Sequence, residues 1–196
     1  PEQDKQEFYI FDFCGNFEYF NENPAGAVSP MSEPLGKRLF KRRLELLELL
    51  PYRVGESPTL RDELIEQLHG EVIAMNTNNF IVRTELEHVT RFADRTNWDA
   101  LDPVALTELR DHVAGLPSEQ ETEHITAKLF DLACLGLQVA LIKATRDFIG
   151  YRDRIIEIAG QLETMEAIPA VKEQLALIQE IQTEAFWKDI TLSIIE

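Results

Sequence analysis

The stretch AKLFDLACLGLQVALIK, Ala127 to Lys143, constrains this chain more than any other. At helical spacing it turns apolar nearly all round between Phe130 and Ile142. A helix without a polar face is a buried one, so this segment is expected to form the central, most buried helix, and the rest of the fold must supply its cover. Its longest apolar run, Leu132 to Ile142, is interrupted by Gln138 and falls short of the ~20 residues that span a bilayer, so no membrane association is expected.

Of 196 residues 44% are hydrophobic, enough for one substantial core or two small ones and typical of a globular rather than a disordered chain. The 35 acidic and 19 basic residues leave a formal charge of -16. That balance opposes bulk association with phosphate backbones, which needs a basic footprint. The local exception is KRLFKRR, which places Lys37, Arg38, Lys41, Arg42 and Arg43 on two helical turns. The simplest reading is a solvated helix face balanced by Glu45 and Glu48; the sharper one is contact with DNA phosphates or an acidic partner. Cys14 and Cys134 lie in apolar surroundings, far apart and without CxxC or Cys-His spacing, which reads as reduced thiols in a cytoplasmic protein. Pro1 is not a natural start, so the chain reads as processed or cut from something longer.

Along the chain, Phe8, Tyr9, Ile10, Phe11 and Phe13 read as a buried strand that runs into a turn at Cys14-Gly15-Asn16. Residues 1–20 form this strand segment, and 21–31, rich in proline, form a linker. Everything from 32 to 196 reads as helix. Ser32 caps a first helix that ends at Pro51, and a second opens at Pro58 or Thr59 and runs to the Asn76–Asn79 interruption. A third covers Phe80 to Ala93. Asp102-Pro103 caps a fourth that closes near Gly115-Leu116-Pro117, and Ser118 with Glu121 makes a capping box for the central helix. Gly150 marks a join to the next helix, and Pro169 begins the last helical stretch. The fold class is all-α: an irregular bundle of six or seven helices, preceded by a detached strand.

Catalytic constellations are missing from the sequence. It contains no GxxxxGK[ST] phosphate loop, GxGxxG, HExxH or GxSxG. His69, His88, His112 and His124 fall on separate helices, so spacing alone brings no two together, and ordinary surface or helix-end roles are expected for them. No ligand set for an autonomous helical enzyme, such as a metal-dependent hydrolase, is visible, and no catalytic, cofactor-binding or metal-binding residue is assigned. Trp98, Phe186 and Trp187 are expected to wedge helices together or to anchor a partner.

One family accounts for the orphan strand. KQEFYIFDFCGNFEYF, Lys5 to Phe20, resembles the segment that follows the last helicase motif in the motor (R) subunit of type I restriction-modification enzymes, where a strand ends the second RecA-like domain. NNFIVRTELEHVTRFADRTNWDAL, AKLFDLACLGLQVALI and IPAVKEQLALIQEIQTEAFW are similar, in order and spacing, to the stretch beyond that motor. The resemblance implies that residues 1–20 close an upstream RecA-like domain and that 32–196 form a helical domain incomplete at its C-terminal end. It implies a parent that is an ATP-dependent type I site-specific deoxyribonuclease using ATP and Mg²⁺, whose nuclease and phosphate-loop residues would precede Pro1. For this segment it implies no catalysis and no cofactor of its own. Its partners would be the upstream motor domain, the methyltransferase and specificity subunits, and DNA through the parent complex. The alternative is a module that guides duplex DNA along the Lys37–Arg43 cluster.

Overall fold

The computed structural model describes residues 33–50, 60–119, 125–188 and 190. The chain divides into two compact units, Pro1–Pro34 and Leu35–Glu196. The expected strand at Phe8–Phe13, the 21–31 linker, the Ser32 cap and the Pro58 or Thr59 helix start all lie outside the described residues.

Among the described residues the second unit is helical, 77% helix with no strand, in ten α-helices. These are α1 (Leu35–Leu49), α2 (Leu60–Ile73), α3 (Phe80–Thr84), α4 (Leu86–Ala93), α5 (Pro103–Glu108), α6 (Ile125–Lys143), α7 (Asp147–Glu163), α8 (Pro169–Glu173), α9 (Leu175–Ile181) and α10 (Glu184–Lys188). A 3₁₀ turn, Arg95–Trp98, follows α4, and a π turn, Leu109–Val113, extends α5. The seven helical stretches legible from periodicity become ten helices because the third breaks once, at Glu85, and the last breaks twice, at Gln174 and again at Gln182–Thr183. At Glu85 (φ -115°, ψ 23°) the backbone N–H reaches back only to Val82 O, and at Gln174 (φ -102°, ψ 8°) only to Val171 O, so each turn tightens and the axis changes direction.

Helix starts follow side-chain chemistry. Asn79 accepts from Ile81 N at 2.9 Å to cap α3, and Asp102 accepts from Ala105 N at 2.7 Å with Pro103 in the first turn of α5. Ser118 does something other than the expected capping: its hydroxyl donates to Glu71 O at 2.9 Å, tying the approach to α6 onto α2, while Glu121 lies outside the described residues. The join expected at Gly150 is also corrected. Gly150 is exposed within α7, with nothing within 4 Å of the place a Cβ would take. The chain turns instead at Ala144, whose φ of 50° lets Ala144 N reach Leu141 O and Thr145 N reach Ala140 O, the paired bonds of a Schellman ending.

α6 explains the arrangement. It packs between α1 and α7. Leu132, Leu135 and Val139 enter a large core with Phe40, Leu44 and Leu47 of α1, Leu68 of α2, Phe92 and Trp98. Ala133 and Leu137, from the other side of the same helix, enter a smaller core with Ile155 of α7 and Trp187 of α10. An all-round apolar helix is what a wall shared by two cores requires. At 19 residues α6 reaches the length and composition of a membrane-crossing helix, beyond what the Leu132–Ile142 run alone suggests; its buried part lies between Leu132 and Ala140, and the helix packs against α1 and α7.

Candidate functional site

Every cation of the KRLFKRR cluster is half-buried, so the face is less open than a solvated stripe. The Lys37 methylenes lie across the Gly115 turn, where φ is 88° and an added Cβ would sit 2.8 Å from Lys37 Cδ. Arg42 donates to Glu45 at 2.7 Å and to the Tyr151 hydroxyl at 3.1 Å, with its guanidinium 5.8 Å from the Tyr151 ring centre. Arg43 pairs with Glu71 of α2 and lies 3.9 Å from Asp131 of α6, with its side chain 11% exposed. Arg38 and Lys41 share the half-buried setting. Arg42 and Arg43 therefore join α1 to α2, α6 and α7 before they meet any ligand.

Glu45 is the acidic counterpart of this cluster, receiving Lys143 Nζ at 2.6 Å as well as Arg42. Burial, the largest single influence, pushes its carboxyl up. The Lys143 hydrogen bond and the charges of Arg42 and Lys143 outweigh that and hold it below the usual carboxylate range. On the far side of α6, burial and then the Asp131 charge push the Cys134 thiol up to about 12, so this free thiol stays protonated and unreactive.

The three aromatic candidates face inward. Trp98 is fully buried, stacked edge-on against Phe92, and its indole N–H donates to Phe92 O at 2.8 Å. Trp187 is buried beside Phe148 and Phe186, and its N–H donates to Ile181 O at 2.6 Å. Phe186 is half-buried. Each tryptophan thus satisfies a carbonyl in the last turn of the preceding helix while filling a core. The large apolar side chains that do face outward are others. Phe80 is 81% exposed at the start of α3, next to exposed Ile81, and Met165, Ile168 and Leu177 are exposed near the α7–α9 end.

A second group escaped the sequence. His88 of α4 and His112 of the π turn stack with ring centres 4.1 Å apart and planes 13° from parallel. Nδ1 of His112 is 3.0 Å from Glu85 Oε2, and Nδ1 of His88 is 3.8 Å from Glu108 Oε2, which also pairs with Arg91. Sequence spacing relates no two of the histidines; the fold brings this pair together. α4, which carries His88, packs on the π turn that carries His112, and this brings the two rings together. The one sequence signal was Glu85-Leu86-Glu87-His88, a carboxylate and an imidazole three residues apart.

No family model, curated protein or solved structure matches this chain.

Proposed function

We propose that this chain is a non-catalytic helical domain of an ATP-dependent, DNA-translocating restriction subunit, which packs against its motor and mediates assembly with the methyltransferase and specificity subunits. The family assignment rests on the resemblance carried by Lys5–Phe20 and the ordered segments after it. ATP and Mg²⁺ would act in the parent, upstream of this segment, and the setting would be cytoplasmic, which suits Cys134 kept as a free thiol.

The observation that favours docking over DNA guidance is the commitment of Arg42 and Arg43 to Glu45, Glu71 and Asp131 within the fold. A cation already paired and partly buried has little charge left to release counterions from a phosphate backbone. Phe80 and Ile81 supply what docking needs: large apolar side chains held outward on a capped helix, in an otherwise strongly acidic surface.

The test uses the full motor subunit. Phe80→Ser with Ile81→Ser should weaken assembly with the methyltransferase by roughly tenfold or more, the scale of an interface hot spot, while duplex DNA affinity and its salt slope stay unchanged. Lys37→Ser, Arg38→Ser and Lys41→Ser together probe the other reading without touching the two structural arginines. Should that triple change lower both DNA affinity and salt slope while the Phe80/Ile81 change leaves assembly intact, the domain guides DNA instead.

A further inference from the structure

Glu85, His88 and His112 each offer one ligand atom, a carboxylate oxygen or a ring nitrogen, and the three atoms lie within 4.8 Å of one another. We propose that these residues form a binding site for a divalent transition metal of the zinc type. This goes beyond the docking role and does not depend on it.

The donor set selects the metal class. Two imidazoles and one carboxylate suit Zn²⁺ and its first-row neighbours, whereas Mg²⁺ and Ca²⁺ prefer all-oxygen shells. Zinc–nitrogen and zinc–oxygen bonds of ~2.0–2.1 Å in a tetrahedron put neighbouring ligand atoms roughly 3.4 Å apart. Glu85 and His112 already approach at 3.0 Å, so the remaining adjustment is a rotation of imidazole rings. The side chains have room for it, at 31% exposure for Glu85, 25% for His88 and 45% for His112.

The surroundings support the same reading. Glu108, fixed by Arg91, faces Nδ1 of His88 and can accept that ring's N–H, the outer-shell contact that orients a ligating histidine. Two carboxylates against one arginine leave the pocket short of positive charge. Two backbone irregularities meet here: the break at Glu85 between α3 and α4, and the π turn that carries His112. A metal would join these two irregular segments. Three protein ligands leave a coordination position for water or for a group from a partner.

Titration calorimetry of the 196-residue chain with ZnCl₂, with MgCl₂ as the control, tests the site. We expect one Zn²⁺ per chain and a rise in melting temperature with Zn²⁺ but not with Mg²⁺. Co²⁺ in place of Zn²⁺ should give visible absorption bands of a site with nitrogen ligands. His88→Ala and His112→Ala should each weaken Zn²⁺ binding at least tenfold, and Glu108→Gln roughly 10–100-fold as an outer-shell change. His69→Ala should leave binding unchanged. Because the site is partly exposed, the metal-free variants should melt like the parent chain, which separates loss of ligand from loss of fold. The absence of saturable Zn²⁺ binding, or binding that survives both His88→Ala and His112→Ala, would overturn the proposal.

Discussion

Gly136 and Ala144 are each the reverse of what helix propensity favours, a glycine inside α6 and an alanine in the left-handed position just beyond it. At Gly136 the reason is contact: a Cβ there would overlap the Tyr151 ring, which lies against the helix backbone and accepts a hydrogen bond from Arg42. Gly136→Ala gains up to ~1 kcal/mol of propensity but overpacks the seam by about 1–3 kcal/mol, so a net loss of stability is expected in denaturant unfolding. Ala144→Gly should do the opposite and stabilise by about 1 kcal/mol, since φ of 50° burdens a side chain and not a glycine. Both variants gaining stability would mean that Tyr151 does not hold its place on α6. The sequence showed neither feature: Gly136 looks like any small residue in an apolar helix, and the join it offered, Gly150, lies inside the first turn of α7. The same blindness covers His88 and His112, which no local spacing relates.

At the scale of elements, periodicity is read reliably where a helix packs one continuous stripe, as in α1, α2 and α7. It fails where tertiary contacts bend the axis, as at Glu85 and Gln174, because neither residue is a glycine or proline that would announce a break. What the sequence presented as a basic helix face turned out to be an inter-helix fastening, since Glu71, Asp131 and Lys143 come from segments far from α1. The Glu45 link between α1 and α6 gives this a pH dependence. Its carboxyl is lowered in the folded chain, so its contribution is present above the unfolded value near 4.5 and fades as the pH drops through the folded value. The stability difference between the parent chain and Glu45→Gln, measured by urea unfolding, should therefore be greatest near neutral pH and shrink below about pH 4.5. A difference that stays constant through that range would show that Glu45 acts by packing alone.

For the whole molecule, the central position of α6 was legible because a helix with no polar side admits only one environment. That its two sides serve two cores was not, since the partners on the smaller side, Ile155, Trp187 and half-buried Phe148, Tyr151 and Phe186, come from two helices separated along the chain, α7 and α10. The larger core draws on α1 to α6 and both irregular turns, and the smaller one on α6, α7 and α10 with help from Ile181. Amide hydrogen exchange should register this asymmetry, with α7 and α9 opening at a lower free energy than α1 and α2. Equal protection across both sets would mean that the cores melt as one. Sub-global opening of the smaller core would bare the Ala133–Leu137 side of α6 while its Leu132–Val139 side stayed covered. The first species to appear on warming would then be a mostly native molecule with one apolar stripe uncovered, and its fate would be set by collisions between copies, so heat inactivation should accelerate with protein concentration.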